Sequence, residues 1–177
     1  MQRAADRQKT LAAHGALLSD QRLPVEALDF SRIAQAEGRV LGHGQDEQSG
    51  RNYLMLESTQ AKVYFAPCTP EMEEARSRGE LRVNSFVLIQ KTSLNQPAHI
   101  KDLGNADHLL SKPQYFTHAA KRLLNQGMMP VEDGWGGWLG RYQAALVKTA
   151  IEISRREEEK LARRTERNRQ RDRSLGR

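Results

Sequence analysis

The spacing of apolar residues along this chain changes period twice. Leu11, Ala12, Gly15 and Leu18 fall on one helical face among good helix formers such as Ala4, Ala5 and Lys9, which predicts a first helix. Asp20 and Pro24 interrupt it. A second short helix is predicted from Pro24, because a first-turn proline loses nothing by lacking an N–H. Gly38, after Glu37, would stop it. Short β-prone runs follow: Arg39-Val40-Leu41, Tyr53-Leu54-Met55-Leu56, Lys62-Val63-Tyr64-Phe65 and Ser85-Phe86-Val87-Leu88-Ile89. Ser58-Thr59-Gln60 reads as a compact hairpin connection. The charged segment from Pro70 to Arg82 reads as a helix that starts after Thr69 with Pro70 at its first position. Ala98-His99-Ile100 offers one more strand.

Helical spacing returns in the last third. Phe116, Ala119, Ala120, Leu123 and Leu124 form an apolar face that ends at Gly127, with Pro130 beyond. A glycine-rich connection, Asp133-Gly134-Trp135-Gly136-Gly137-Trp138, leads to a long final helix with Leu139, Tyr142, Leu146, Ala150 and Ile153 along one side. After Ile153 the stripe stops, leaving Leu161 alone among charges, so the helix is expected to continue as a solvated or frayed extension. No internal repeat is visible. The fold class is α+β: a small twisted antiparallel sheet, or partly open barrel, of about four or five strands flanked by helices, with a long basic C-terminal helix. The expected organisation is N-terminal helices over 1–37, a small β-rich unit with one inserted helix over 38–102, a helical unit packed on the sheet over 103–154, and a solvated or partly disordered basic tail over 155–177.

Charge sharpens that division. The chain has 177 residues, enough for one compact domain with a tail or two very small units sharing a core, and a formal net charge of +6. From Arg155 to Arg177 ten basic and five acidic residues leave +5, so the remaining residues carry only +1. A near-neutral body with a basic tail points to nucleic acid, an acidic protein surface or an anionic membrane as partner. The mean hydropathy of -0.74 agrees with part of the chain being solvated. No run approaches the roughly 18 to 20 apolar residues that span a bilayer, so no membrane insertion is expected. The opening Met1-Gln2-Arg3-Ala4-Ala5-Asp6 lacks the apolar core of a secretory signal, and Cys68 has no second cysteine to pair with, so a cytoplasmic setting is expected.

Several segments carry a resemblance. Leu23-Pro24-Val25-Glu26-Ala27-Leu28-Asp29-Phe30, Gly38-Arg39-Val40-Leu41-Gly42-His43-Gly44, Asp46-Glu47 with Arg51-Asn52-Tyr53-Leu54, and Asp133-Gly134-Trp135-Gly136-Gly137-Trp138-Leu139-Gly140-Arg141-Tyr142 resemble the uncharacterised C-terminal region of conjugative relaxases, the mobilisation nucleases of transmissible plasmids and integrative elements. The likeness runs from about Leu23 to Ala144, and the tryptophan-glycine motif is its most specific part. It implies a place in DNA mobilisation, with DNA, the relaxosome or type IV secretion coupling proteins as partners. Relaxases cut one strand with a tyrosine while closely spaced histidines hold a metal. Here His14, His43, His99, His108 and His118 are never separated by one residue or by three, and Tyr53, Tyr64, Tyr115 and Tyr142 sit in apolar patterns. No catalytic residue, metal or cofactor is therefore assigned, and the chain is expected to be a non-enzymatic portion of a larger nuclease. A fragment that contributes to a nicking enzyme is the remoter alternative.

Four features have both a sharp and a plain reading. The Gly42-His43-Gly44-Gln45-Asp46-Glu47 run could hold a metal or a phosphate, or make a tight turn between strands, and the turn is preferred. Trp135 and Trp138, beside Arg141, could stack on single-stranded bases or could pack the final helix onto the sheet, and packing is preferred. Cys68 could be an activated thiol at a helix start, but a small residue in a strand-to-helix turn is the better reading. Arg163, Arg164, Arg167, Arg169, Arg171 and Arg173 could neutralise DNA phosphates, could serve as an arginine-rich export signal like those of relaxase tails, or could only solubilise a frayed helix end. Between Arg155 and Lys160 the expected state is local pairing with Glu157, Glu158 and Glu159. The resulting expectation is an accessory module that binds DNA non-specifically, docks the relaxosome to the secretion machinery, or both. A secretion-signal or structural interaction module without DNA affinity is the alternative.

Overall fold

Apolar runs without alternation, such as Tyr53 to Leu56, suit strands that are covered on both faces. The computed structural model describes residues 23–28, 35–91, 93 and 95–176. It places those runs at the centre of an open, six-stranded mixed sheet. The strands are β1 (Val25–Ala27), β2 (Gln35–Gln45), β3 (Asn52–Ser58), β4 (Val63–Pro67), β5 (Ser85–Gln90) and β6 (His99–Asn105), in the spatial order β1-β4-β3-β2-β5-β6. All neighbours are antiparallel except β1 and β4, which run parallel with Val25 opposite Val63. The protein is α+β, as its pattern of periods predicts.

The described residues form two compact units, one reaching to Ser111 with Trp135–Leu139 added, the other made of Lys112–Gly134 and Gly140–Arg177. In the first unit, α1 (Pro70–Ser77) joins β4 to β5 across β3 and β2. It begins where predicted, with Thr69 as N-cap accepting from the Met72 N–H at 3.3 Å and Pro70 in the first turn. Met72 and Ala75 then enter a core with Val40, Leu54, Leu56, Tyr64, Ala66, Leu81, Val87 and Ile89. A short α2 (Ala106–Leu109) follows β6, capped by the Asn105 side chain. In the second unit, α3 (Pro113–Asn125) buries Phe116, Ala119 and Ala120. Gly127 ends it at φ 72, with Met128 N–H bonded to Leu123 O at 2.9 Å and Gly127 N–H to Leu124 O at 3.0 Å. That pair of bonds is a Schellman motif. The last helix, α4, runs unbroken from Gly137 to Leu175.

Four sequence expectations need correction. The helix predicted from Pro24 meets strand instead, both at β1 and at residues 35–37 of β2; its middle, 29–34, and the first predicted helix lie outside the described residues. Gly38 is no helix stop. It lies within β2, where a Cβ would stand 2.1 Å from the Glu57 carbonyl oxygen, so only glycine allows β3 this close. The Gly42-His43-Gly44 run is the end of β2 rather than a turn. The turn comes later, where Asp46 accepts from Gln48 N–H and the Ser49 hydroxyl, and Gly50 takes φ 68. The helix drawn from Pro70 to Arg82 ends at Ser77, and Gly79 at φ 83 starts the return to β5.

Candidate nucleic-acid interface

The side chains marked by the sequence fall into two settings. In the sheet unit, register puts Arg39 of β2 directly opposite Glu57 of β3 on one side and Phe86 of β5 on the other. Arg39 Nη2 donates to Glu57 Oε2 at 3.2 Å, and Nη1 donates to Asn84 Oδ1 at 3.3 Å. Asn84 Nδ2 in turn donates to Asp107 Oδ2 at 2.9 Å. Glu57 is 2% exposed and is ion-paired with that guanidinium. Trp138 covers the row: Arg39 Cζ lies 5.8 Å from its ring and the Phe86 ring 5.7 Å from it. The indole N–H donates to Ala106 O at 2.9 Å, and Trp138 is 3% exposed.

Trp138 therefore offers no open ring face to a base, and it leaves the set of contact candidates: packing claims it. Trp135 is half-buried and its indole nitrogen has no hydrogen-bond partner among the described residues. Arg141 is exposed on the first turns of α4. Tyr142 is buried against Phe116, with ring centroids 5.6 Å apart, as its place on the apolar stripe predicts.

His43 and Cys68 are placed by the sheet rather than by a site. His43 Nε2 donates to the Leu81 carbonyl at 2.6 Å, and its Nδ1 is buried without a partner among the described residues. Burial is the main reason its pKa lies below the ordinary value, helped by Arg76 and opposed by the Leu81 carbonyl and Glu73. Leu81 itself sits at φ 57, held by the Asp102 carboxylate accepting its N–H at 2.9 Å. Cys68 belongs to the core, and burial, then Glu73, push its thiol pKa up, away from the reactive thiolate. Among the described residues no group of three or more His, Cys, Asp or Glu side chains is placed to hold a metal ion.

The second setting is the far part of α4. Leu146 and Ala150 are buried and Ile153 half-buried, but from Arg155 to Gly176 every residue is exposed. That stretch stays helical rather than fraying, so Arg163, Arg164, Arg167, Arg169, Arg171 and Arg173 stand on a regular scaffold in solvent. The ion pairing expected for Glu157, Glu158 and Glu159 is not formed: among the described residues no charged side chain from 155 to 176 makes an ion pair. These side chains are exposed to solvent, where an external anion can reach them. What sequence reasoning missed is the half-buried Arg39–Glu57–Asn84 network, since only strand register brings those positions together.

No helix among the described residues is long and apolar enough to cross a membrane. No protein-family model, curated protein or solved structure matches this chain.

Proposed function

We propose that this chain is a non-catalytic accessory module that binds DNA without sequence specificity through residues 155–175 of α4. The observation that carries this reading is a solvated helix whose arginines have no ion-pair partner among the described residues. Among the described residues no ion pair uses those charges, and a polyanion is the ligand class they complement. Its place, on this reading, is the C-terminal part of a conjugative relaxase in the cytoplasm, which the residue runs from Leu23 to Tyr142 support by resemblance. There the same helix would hold transferred DNA or present the relaxosome to a type IV secretion coupling protein.

The test compares the full chain with one ending at Ser154. Affinity for single-stranded DNA should fall with salt at a log–log slope of about -4 if about six phosphates are neutralised, and shortening should flatten it. Equal slopes for the two proteins would remove DNA binding from the proposal. A mating assay in which the shortened protein binds DNA as before yet blocks transfer would assign the helix to docking instead.

A further inference from the structure

We propose that 155–175 of α4 presents one phosphate-binding face that grips a single phosphodiester strand without reading its bases; this rests on the DNA-binding reading above. An α-helix turns by about 100° per residue, so residues three, four and seven apart share a side. Arg156, Lys160, Arg163, Arg164, Arg167 and Arg171 follow that spacing and fall within an arc of about 100°. They extend over about 22 Å of helix at 1.5 Å per residue. Arg155, Arg169 and Arg173 lie on the other side, interleaved with Glu158, Glu159 and Glu166, where the charges cancel. The surface relief agrees with this division. Lys160, Arg163, Arg164 and Arg167 border one shallow groove, in which Glu157 is the sole acid. Arg169 and Arg173 border a different one, shared with Glu158 and Glu166.

Two consequences separate this face from a general basic tail. Arg156 and Lys160, which the sequence alone leaves to local pairing, belong to it, whereas Arg169 and Arg173 do not. Acids also bound it on both margins, Glu157 on one and Glu152 on the other. A helix lying in a duplex major groove meets phosphates along both flanks, which would set those carboxylates against them. A single strand laid along the face avoids that repulsion. No aromatic residue occurs from 155 to 176, so stacking on bases has no side chain to use. A membrane-surface helix needs a continuous apolar side, and Leu161 and Leu175 are the only large apolar residues here.

Two charge-matched triple variants of the full chain test the face. Both change exposed residues only, so the fold is not at stake. Lys160→Gln with Arg163→Gln and Arg167→Gln should flatten the salt slope for a dT oligonucleotide by about two and weaken binding about tenfold or more at low salt. Arg155→Gln with Arg169→Gln and Arg173→Gln should change affinity less than about twofold. An abasic oligonucleotide of equal length should bind within about twofold of the dT strand, because only phosphates are held. Equal losses in the two triples would overturn the single face while the shortened chain still reported tail-dependent binding. Loss of abasic binding, or tighter binding of an equal-length duplex per phosphate, would overturn the single-strand, base-blind contact. An oligoglutamate of equal charge bound as tightly as the oligonucleotide would overturn it too, in favour of an acidic protein partner.

Discussion

Burial fixes the tautomer of His43, because its Nε2 must donate to the Leu81 carbonyl and its Nδ1 then carries no proton. Protonating Nδ1 would create a buried N–H with no acceptor, which is the local meaning of the depressed pKa. The unfolded chain titrates near the ordinary value of 6.5 and the folded one below it. Between those points the unfolded state holds more protons, so this group's stabilising contribution is present above about 6.5 and is lost as pH falls. His43→Gln keeps an amide donor for Leu81 and removes the titration. Urea unfolding at about pH 8 and about pH 5 should show a smaller acid loss in the variant than in the wild type. Identical losses would count against the burial argument. Trp138 gives the complementary prediction, that a tryptophan beside arginines need not touch nucleic acid. Trp138→Phe removes the bond to Ala106 O and should cost about 1–3 kcal/mol of stability. DNA affinity should stay within about twofold, since stacking would be worth roughly 1–3 kcal/mol per base and its loss would be obvious. A tenfold loss of affinity in a folded Trp138→Phe protein would return the indole to the interface.

Elements whose boundaries are set by local chemistry were legible in the sequence; those set by pairing were not. The start of α1 depends on Thr69 and Pro70, and the end of α3 on Gly127, all within one turn of the groups they satisfy. Such features read straight from the chain. The apolar stripe of α4 and its end at Ile153 belong to the same class, because helical period is a local property. β1 is different. Val25–Ala27 become strand only by pairing with Val63–Phe65, a partner far along the chain, and Pro24 before them looks like a helix start to any local rule. Gly38 misleads for the same reason: next to Glu37 it reads as a terminator, yet its role is to let the Glu57 carbonyl approach across the sheet. The same division governs the candidate site. Arginine spacing along one helix is visible in sequence, whereas Arg39, Glu57, Asn84 and Trp138 converge only through register.

At the scale of the molecule, charge and packing are separated along the chain. Residues up to Ser154 carry the buried side chains and nearly balanced charge, while 155–177 carry +5. Like charges crowded on one helix repel each other, and helix formation beyond the packed region depends on propensity alone, for which Arg, Glu, Lys and Ala are favourable residues. An extension maintained for folding would be expected to place side chains in the core, and none from Arg155 to Gly176 is buried. Ending the chain at Ser154 should therefore leave the urea unfolding free energy of the remainder unchanged within about 0.5 kcal/mol, while far-ultraviolet ellipticity falls by the helix removed. If unfolding free energy drops by several kcal/mol instead, the extension is part of the fold, and its cations have a structural task that competes with binding. A midpoint held constant while the salt dependence of DNA affinity disappears would locate stability and electrostatics in different parts of one chain, leaving the arc from Arg156 to Arg171 to be explained by its ligand.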